Sequence, residues 1–549
     1  MSEATVVVIG AGIAGLSAAK ELIENGITDV KLLEASDRIG GRILQCKVVN
    51  SGLLEMGANW IHGTSNNPVH ALAAQHQLFN KKLSVTRTQS NGIQALTSQG
   101  TQIDSDIVEK IEHFYYSSLD ETKTFHEKNK HSDKSCEHNH TASVGEFLNK
   151  TIIDYSKSYF LTKQEKSFYE CLLNLECCIS GCNSMNDVAL IPFGEYVELP
   201  GEHRILPSGY ESLIKAIQKG IPQEKIWINM TVSTIHWGLS KITSSKIAES
   251  NSGDNVEVPN IHHHNCPVYV QCEDGVTLPA DHVIVTSSLG FLKEHVEEFL
   301  DPRLPDDKIQ AIRALGFGTV GKIYLHYDVP WWSKSFTCFL VWDEDTEIQP
   351  GDAVKQQGLW YHKLYSFGVV VTNPNVVVGW LAGQQAEHME TLSESEGLWY
   401  HKLYSFGVVV TNPNVVVGWL AGQQAEHMET LSESEVGITC TAILRKFFSR
   451  DDIPEPQKVN QTSWYSNPYT RGSYSYVAVG SSGDDIDILS KPLPYSEHMT
   501  SSTQHQLQVL FAGEATHRTF YSTTHGALLS GQREADRILS LYKSQITSK

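Results

Sequence analysis

The chain has 549 residues, of which 40% are hydrophobic and 19% are charged, and its formal net charge is −20 at pH 7. This length allows two sizeable domains. The negative charge argues against nucleic acid as a partner, because nucleic-acid binding needs a basic surface. No apolar run reaches the roughly 18 residues of a membrane-spanning helix, so we expect no membrane segment. The ten cysteines are irregularly spaced, which is typical of reduced intracellular thiols rather than of a disulfide framework.

A glycine-rich turn lies between a predicted strand and a predicted helix at the start of the chain. Thr5–Ile9 form an apolar, β-branched run, and Gly10, Gly12 and Gly15 follow with G-x-G-x-x-G spacing. The first glycine allows a tight turn, the second lets a pyrophosphate approach the backbone, and the third lets the helix pack closely on the strand. The predicted helix, Ala14–Asn25, directs its N-terminal amides at the phosphates. The pattern predicts a dinucleotide site.

A carboxylate and two arginines follow the second predicted strand, Val30–Leu33. Glu34 ends that strand, where a carboxylate accepts hydrogen bonds from ribose hydroxyls. Arg38 and Arg42 flank a glycine pair that includes Gly41, and their fork-shaped donors suit phosphate oxygens. A solvated surface turn is the alternative. The stretch resembles the extended signature of the flavin-containing amine oxidase family, which implies FAD as the cofactor.

Two further segments resemble the same family. The sequence GANWIHG over residues 57–63 is similar to the segment that passes beside the flavin in polyamine oxidases, although packing alone is the alternative. Near the C-terminus, a strand beginning at Val509 breaks at Gly513-Glu514, and Thr523-Thr524 precede a predicted helix over residues 528–539. An ordinary βα unit is the alternative there. The resemblance implies that Glu514 binds ribityl hydroxyls and that this helix presents its N-terminus to the flavin.

Lys322 lies in an apolar, alternating strand, where a lysine is costly unless it has a partner. A snorkelling lysine is the interpretation from sequence alone. The family has a lysine at the matching place that holds a water against the flavin, which implies the same role for Lys322. An aromatic set around Tyr474 suits an alkylammonium substrate, with core packing as the alternative. Thr523 stands where several relatives have a second aromatic, so we expect a cage with one aromatic wall.

Predicted strands also occur far from the N-terminal segment, at Thr231–Trp237, Val268–Cys272 and Asp281–Thr286, with a hairpin signal after the second. They suggest a nucleotide-binding domain built from separated pieces. The predicted fold class is α/β: a Rossmann-like FAD-binding domain of the amine oxidase type, with an interleaved α+β substrate-binding domain on a mixed sheet flanked by helices. The predicted ranges are 1–85, 205–300 and 495–549 for the first domain, and 86–204 and 301–494 for the second.

Two histidine-rich stretches interrupt these patterns. Residues 126–140 read HEKNKHSDKSCEHNH, and HHHNC over residues 262–266 follows a polar stretch over residues 244–260. Opportunistic metal binding is one interpretation. Their spacing matches no structural zinc site. We therefore predict solvated loops and no metal.

An internal repeat is the least usual feature. Residues 358–396 recur without a change at residues 397–435. A solenoid needs at least about three repeats, so two identical copies indicate a recent duplication or an error in the gene model. Each copy carries an apolar run, Val376–Leu381 or Val415–Leu420, and a sheet with room for one such strand forces the other copy to loop out or compete.

The resemblance covers nearly the whole chain and is strongest to the animal N1-acetylpolyamine oxidases. It implies an FAD-dependent oxidase that converts N1-acetylspermine or N1-acetylspermidine to an aldehyde, a shorter polyamine and hydrogen peroxide. The alternatives are a spermine oxidase, a lysine demethylase, which would need a chromatin-binding module, and a flavin-binding protein inactivated by the duplication.

We expect a monomer whose partners are the polyamine and O2. The final Thr547-Ser548-Lys549 is one leucine short of the S-K-L peroxisomal signal, so we expect a cytoplasmic protein, with the peroxisome as the alternative.

Site residues follow from the same resemblance. The catalytic residues are Lys322 and His62. The substrate-binding residues are Trp60, Tyr474, Thr523 and Glu195. The cofactor-binding residues are Gly10, Gly12, Gly15, Glu34, Arg38, Gly41, Arg42, Gly57, Ala58, Asn59, Trp60, Val232, Trp464, Gly513, Glu514 and Thr524.

Overall fold

The computed structural model describes residues 4–48, 52–79, 94–129, 142–238, 266–332, 337–342, 366–370, 415–495 and 506–547. Its strands are β1 Thr5–Ile9, β2 Asp29–Leu33, β3 Gln45–Val48, β4 Gly52–Glu55, β5 Gln94–Thr97, β6 Ile226–Trp227, β7 Val232–His236, β8 Val268–Cys272, β9 Thr277–Ala280, β10 His282–Val285, β11 Leu300–Asp301, β12 Gly316–Gly318, β13 Val320–His326, β14 Thr337–Val341, β15 Ser366–Val370, β16 Val415–Ala421, β17 Lys458–Gln461, β18 Tyr474–Tyr476 and β19 Val509–Phe511.

The α-helices are α1 Ile13–Glu24, α2 Pro68–Gln75, α3 Ser105–Asn129, α4 Val144–Ser158, α5 Lys163–Ser180, α6 Leu190–Phe193, α7 Glu211–Gln218, α8 Leu289–Glu294, α9 Asp306–Ala314, α10 Gln423–Met428, α11 Glu433–Phe448, α12 Gly483–Ser490 and α13 Thr524–Thr547. Short 3-10 turns occur at Met185–Asp187, Gln223–Lys225 and Glu514–Thr516. Within the described ranges, no helix combines the length and the apolar character needed to cross a membrane.

A five-stranded parallel sheet, ordered β19-β10-β1-β2-β6, carries the glycine-rich turn. Every residue of β1 is buried, because Val6 and Val8 face one apolar core while Val7 and Ile9 face another. Helix α13 packs on α1 without a gap, since a Cβ at Gly531 would lie 2.0 Å from the carbonyl oxygen of Ala14. The helix begins at Thr524, earlier than predicted, and ends at Thr547.

The predicted strands in the middle of the chain form, but they do not share one sheet. Strands β7, β8 and β9 are antiparallel neighbours in a four-stranded sheet with β11. Strand β10 leaves this sheet and pairs in parallel with β1, Val7 opposite Val283. The predicted hairpin turn after Cys272 is confirmed by the antiparallel β8–β9 pair, whereas all four residues of β10 are buried, as a central parallel strand requires.

A mixed six-stranded sheet, ordered β17-β13-β16-β15-β14-β5, forms the second layer. All seven residues of β13 are buried, and its neighbours β16 and β17 are antiparallel to it. Helix α11 covers one face through Val436 and Ile443, and α3 and α5 pack on the other face through Tyr115 and Phe168. The strands of the two large sheets come from the chain segments predicted for the two domains, and the domain boundaries remain predictions.

The mixed sheet uses one strand from each copy of the repeat. Strand β15 comes from the first copy and its antiparallel partner β16 from the second, with Phe367 opposite Gly418. Of the two predicted competing runs, the second therefore fills the place in the sheet. The first run, Val376–Leu381, lies outside the described residues. The expectation of one strand per copy missed Ser366–Val370, whose short apolar stretch carries little strand signal by itself.

The histidine-rich stretches fall largely outside the described residues, as do residues 244–260. His126 is an exception and a correction: it lies in the last turn of α3, and its Nδ1 is 2.7 Å from the carbonyl oxygen of Ile191. Cys266 is also described and is buried. The cysteines in the described ranges form no disulfide bonds.

Candidate active site

A cavity of about 720 Å³ brings together most of the residues predicted for the site. Its walls come from the ends of β1 and β2, the segment after β4, strand β13 and the start of α13. The predicted residues that line it are Gly10, Gly12, Glu34, Arg38, Gly41, Arg42, Gly57, Ala58, Asn59, Trp60, His62, Val232, Lys322, Trp464, Tyr474, Gly513, Glu514, Thr523 and Thr524.

Gly10, Gly12 and Gly15 form a cradle at one end of the cavity. Gly10 has a φ of +98°, which an L side chain rarely adopts. A Cβ on Gly12 would have no heavy atom within 4 Å, so the backbone there is open to the cavity. Gly15 lies outside the lining, and its Cβ would come 1.9 Å from the carbonyl oxygen of Gly10, as its predicted packing role requires.

Glu34 is buried beside this turn. Its Oε2 accepts from the amide of Ala11 at 2.8 Å, and its Oε1 accepts from the amide and the hydroxyl of Ser36 at 3.0 and 2.6 Å. These bonds fix the carboxylate at the end of β2. A carboxylate has about four acceptor positions, so one remains for a ribose hydroxyl.

The two arginines use their donors differently from the phosphate grip that was predicted. Arg38 donates to the carbonyl oxygens of Gly41 (2.7 Å) and Ile43 (3.3 Å), so it holds the turn together. Arg42 donates through Nη1 to Glu514 Oε1 at 2.8 Å and to the carbonyl oxygen of Ser473 at 2.9 Å. Both side chains still line the cavity.

Glu514 connects three segments around the cavity. Besides Arg42, its carboxylate accepts from the Ser475 hydroxyl at 2.6 Å and from the Ser522 amide at 2.9 Å. Trp464 supports the opposite wall by donating its indole N–H to the carbonyl oxygen of Met56 at 3.1 Å.

This donor set fits a flavin dinucleotide. The N-terminus of α1 begins at Gly12 without a side-chain cap or an acidic residue in its first turn, so its amides are available to an anionic diphosphate. Gly57 leaves no room for a side chain, because a Cβ there would lie 1.8 Å from the carbonyl oxygen of Arg42. The backbone can therefore pack closely against Arg42 at the edge of the cavity.

Lys322 is 5% exposed and points into the protein rather than to solvent, so the snorkelling interpretation was wrong. Its Nζ donates to the carbonyl oxygens of Glu55 at 2.8 Å and Gly57 at 2.6 Å. The same atom lies 4.6 Å from the centroid of the Trp419 ring. Burial lowers the pKa of Lys322, and the charge of Glu55 opposes this effect.

His62 is paired with a second imidazole. Its ring centroid lies 5.0 Å from that of His203 in an edge-to-face arrangement, and His203 Nδ1 accepts from the amide of Gly63 at 3.2 Å. Burial lowers the pKa of His62 well below its ordinary value, and the charges of His203 and His525 lower it further. A neutral imidazole can hydrogen-bond to a substrate without adding positive charge.

Aromatic groups form more of the cavity than one wall. Tyr474 donates its hydroxyl to the carbonyl oxygen of Cys178, which fixes the ring. Trp419, Tyr196 and Tyr521 also line the cavity, and the last two are edge-to-face with centroids 5.4 Å apart. These rings come from distant segments, and the cage with one aromatic wall stays a prediction.

Thr523 and Thr524 start α13. The Thr523 hydroxyl accepts from the amide of Gly526 at 2.9 Å and donates to the carbonyl oxygen of Phe520 at 2.7 Å, so it acts as the helix cap. The Thr524 hydroxyl lies 2.6 Å from the Tyr210 hydroxyl. The helix N-terminus thus borders the cavity, as predicted.

Glu195 does not line the cavity, which corrects its assignment to substrate binding. Its carboxylate binds Arg518, with Nε to Oε2 at 2.6 Å and Nη2 to Oε1 at 3.1 Å. Arg518 also contacts Asp484 and Asp487 through Nη1, at 2.9 and 2.5 Å. A carboxylate bound at both oxygens by one guanidinium is a structural element.

The acidic residues that do line the cavity were missed. Besides the predicted Glu34 and Glu514, they are Asp37, Asp120, Glu176 and Glu198. Burial raises the pKa of Glu176 to about 7, and the charge of Glu198 raises it as well, while Lys123 opposes the shift. The sequence around Glu176 and Glu198 gave no sign that their side chains point into the cavity.

Comparison with known proteins places this geometry in a family. The model described as "Flavin containing amine oxidoreductase" matches residues 13–539. The chain is 38% identical to the peroxisomal N(1)-acetyl-spermine/spermidine oxidase of Homo sapiens, over 98% of this chain and 96% of that protein. Identity to the Bos taurus protein of the same name is also 38%, over 98% and 95%.

A solved structure shows the same fold. Cyclohexylamine oxidase from Brevibacterium oxydans IH-35A matches with a TM-score of 0.64 at 16% identity, over 99% of this chain and 100% of that one. At this identity the likeness concerns the fold alone. With the family match over most of its length, the chain belongs to the flavin containing amine oxidoreductase family.

Proposed function

We propose that this protein is a polyamine oxidase that oxidises N1-acetylated spermine and spermidine at a secondary amine, with FAD as its cofactor. One observation carries the proposal: a buried lysine and several aromatic rings share a cavity with carboxylates. This combination suits a long, apolar chain with separated ammonium groups. The two relatives at 38% identity support the substrate class, since their names specify N1-acetylspermine and spermidine oxidation.

Bound FAD would supply the two-electron acceptor for a hydride equivalent from the carbon beside the amine, with O2 as the final acceptor and hydrogen peroxide as the product. The protein must present that amine without its proton, because the nitrogen lone pair drives hydride loss. The rings of Trp60, Tyr474 and Trp419 exclude water, and desolvation disfavours the charged amine. Water then hydrolyses the iminium to an aldehyde and a shorter amine.

Lys322 and His62 are the polar groups that we assign to the reacting region. Lys322 is held by two carbonyl oxygens, which leaves its third N–H for a water or a cofactor atom. His62 is neutral and accepts or donates a hydrogen bond to the substrate chain. Gly10, Gly12, Glu34, Arg42, Gly57 and Glu514 are the cofactor-binding residues that the donor set supports best.

Two acidic residues of the cavity would orient the substrate. Glu176 and Glu198 line the cavity, and the charge of Glu198 raises the pKa of Glu176. An ammonium on the far end of the chain would bind there, while the acetylated end needs no countercharge. Fixing the far end sets which carbon reaches the flavin.

Steady-state assays with N1-acetylspermine, spermine and benzylamine test this function. We expect equimolar aldehyde and hydrogen peroxide from N1-acetylspermine, with the higher kcat/KM, and little turnover of benzylamine, which lacks a distal ammonium. Benzylamine as the best substrate would contradict the proposal.

A spermine oxidase is the second candidate. Two neighbouring carboxylates favour it, because free spermine has an ammonium at both ends and N1-acetylspermine at one. A higher kcat/KM for spermine than for N1-acetylspermine would move the assignment to this function.

A peroxisomal location is a separate proposal. It is supported by the names of the two relatives. Fluorescence microscopy of the tagged chain, with the tag at the N-terminus, tests it against a cytoplasmic signal.

A further inference from the structure

Glu55 is a buried carboxylate that takes no part in the scheme above. It ends β4, is 6% exposed and does not contact the cavity. Its Oε1 accepts from the amide of Tyr210 at 2.7 Å and from Gln45 Nε2 at 2.9 Å. Its Oε2 is buried without a hydrogen-bond partner among the described residues. A buried acceptor left in this way is costly and needs an explanation.

The backbone of the same residue holds the candidate catalytic lysine. The Glu55 carbonyl oxygen accepts from Lys322 Nζ at 2.8 Å and from the Tyr324 hydroxyl at 2.7 Å. Two residues on, the carbonyl oxygen of Gly57 accepts from the same Nζ at 2.6 Å, and Gly57 borders the cavity. The ammonium is therefore positioned by the backbone of residues 55–57.

The Glu55 side chain anchors this backbone to a rigid element. The amide of Tyr210 that it accepts from is at the N-terminus of α7, where the helix dipole favours a carboxylate. Gln45, the second donor, is held in turn by its amide, which donates to Glu211 Oε1 at 3.1 Å. The anchor thus runs from α7 through the carboxylate to the carbonyl oxygens that hold the lysine.

We propose that Glu55 is the positioning residue of Lys322: its carboxylate fixes residues 55–57 on α7 and places a negative charge on the residue whose carbonyl oxygen holds the ammonium. The proposal rests on the role assigned to Lys322 above. The unpartnered Oε2 is the atom that can take up a proton where the pair titrates.

The titratable groups around the pair are few. Glu55 faces Lys322 and Tyr324 from β13, and Tyr210 and Glu211 from the start of α7; Cys46 from β3 faces Tyr324. Burial raises the pKa of Tyr210 and of Tyr324, so neither phenol changes charge near neutral pH. Burial raises the pKa of Glu55 and lowers that of Lys322, so this pair titrates nearer neutrality than free side chains do.

Sulfite titration of the purified flavoprotein over a range of pH tests the proposal without any substrate. Sulfite binds oxidised flavin more tightly when a positive charge is near, and the loss of visible absorbance reports its affinity. In E55Q the hydrogen-bond acceptor remains but the charge is lost, so the Lys322 ammonium loses its proton at lower pH. We expect the pH midpoint of sulfite affinity to fall by about one unit. E112Q, which neutralises a buried carboxylate of α3 outside the anchor and outside the cavity, should keep the wild-type midpoint.

A wild-type midpoint in E55Q would overturn the proposal, as would an equal shift in E112Q. In K322M, E55Q should cause no further change, because the group that it acts on is absent. If E55Q fails to bind flavin, E55D replaces it in the test. Because E55D keeps the charge but displaces the carboxylate, we expect an unchanged midpoint and weaker sulfite binding. Unchanged sulfite binding in E55D would overturn the anchoring role. Because no amine is present, these results do not depend on whether polyamines are the substrates.

Discussion

Lys322 and Trp419 are opposite each other on neighbouring strands, and the lysine Nζ lies 4.6 Å from the centroid of the indole ring. The lysine belongs to a unique part of the sequence, whereas the tryptophan belongs to the second of two identical copies. This contact makes the second copy of the repeat part of the candidate active site. In the described structure, the strand from the first copy pairs with β16 and not with β13.

The repeat offers a matched pair of substitutions. Trp380 occupies in the first copy the position that Trp419 has in the second, with identical neighbours. We expect W419A to slow flavin reduction about tenfold or more, because a desolvated cation–π contact contributes about 1–2 kcal/mol. W380A should leave the rate unchanged. Stopped-flow measurement of both variants checks this, and equal losses, or a loss only in the double variant, would mean that the copies exchange places.

Deletion of residues 397–435 leaves one complete copy of the repeat. Because the copies are identical, we expect residues 376–382 of the remaining copy to take the place of β16, with residues 371–375 as the loop from β15 in place of residues 371–414. Shortening that connection should raise the free energy of unfolding by about 2 kcal/mol, from loop-closure entropy alone. Urea denaturation of both forms measures the difference. A shortened protein that is less stable or loses its flavin would show that the duplication is required.

Lys322 is expected to act in chemistry rather than in folding. K322M replaces a buried, desolvated ammonium with an apolar side chain of similar length, so the protein should retain FAD and its thermal stability. Either flavin reduction or reoxidation should slow strongly, at least about a hundredfold if the lysine activates the reacting atoms. Rapid-mixing absorbance separates the two steps. Unchanged rates for both would remove Lys322 from the mechanism.

Substrate affinity is expected to depend on the charge of Glu176. Its pKa is raised to about 7, so the carboxyl is largely neutral below that pH and charged above it. An ammonium binds the charged form better, and the KM for N1-acetylspermine should therefore fall as pH rises through about 7. E176Q should remove this dependence and raise KM at pH 8. A KM profile that keeps its wild-type shape in E176Q would contradict the assignment.

The charge of Glu176 improves substrate binding but lowers the stability of the folded protein. A raised pKa means that the folded state binds more protons than the unfolded one, so wild-type stability falls as pH rises from about 4.5 to about 7. Without substrate, E176Q should thus be more stable than the wild type at pH 8. Thermal denaturation at pH 5 and pH 8 checks the sign.

For Glu195 we predict an effect on stability and not on substrate binding. Because it binds Arg518 outside the cavity, E195Q should lower stability while the KM for polyamine stays within about twofold of the wild type. Melting temperature and KM, measured side by side, separate the two effects. A large increase in KM with a normal melting temperature would show that Glu195 binds substrate.

Local motifs could be predicted from the sequence because their physics is local. Thr5–Ile9 and Gly10 to Gly15 form a strand and a turn whatever lies elsewhere, and the predicted strand matches the observed one. The packing role of Gly15 could be predicted too, because it concerns a strand and the helix that directly follows it in the chain. Glu34, at the end of the next strand, was found for the same reason.

Contacts across the chain could not be predicted in this way. Glu55 and Lys322 meet through a backbone carbonyl that has no sequence signature, and Trp419 reaches the cavity through strand pairing. The two copies of the repeat are identical, so no pattern could tell which would supply β16. Glu195 was assigned from a resemblance over a segment, and its ion pair with Arg518 depends on packing against a distant loop.

Anaerobic mixing of the purified protein with N1-acetylspermine, followed by the visible absorbance of its flavin, tests the central claim most directly. The account predicts a bound flavin spectrum that bleaches within seconds and returns on admission of air with release of hydrogen peroxide. A protein that carries flavin and keeps its colour with both N1-acetylspermine and spermine would contradict the polyamine oxidase assignment.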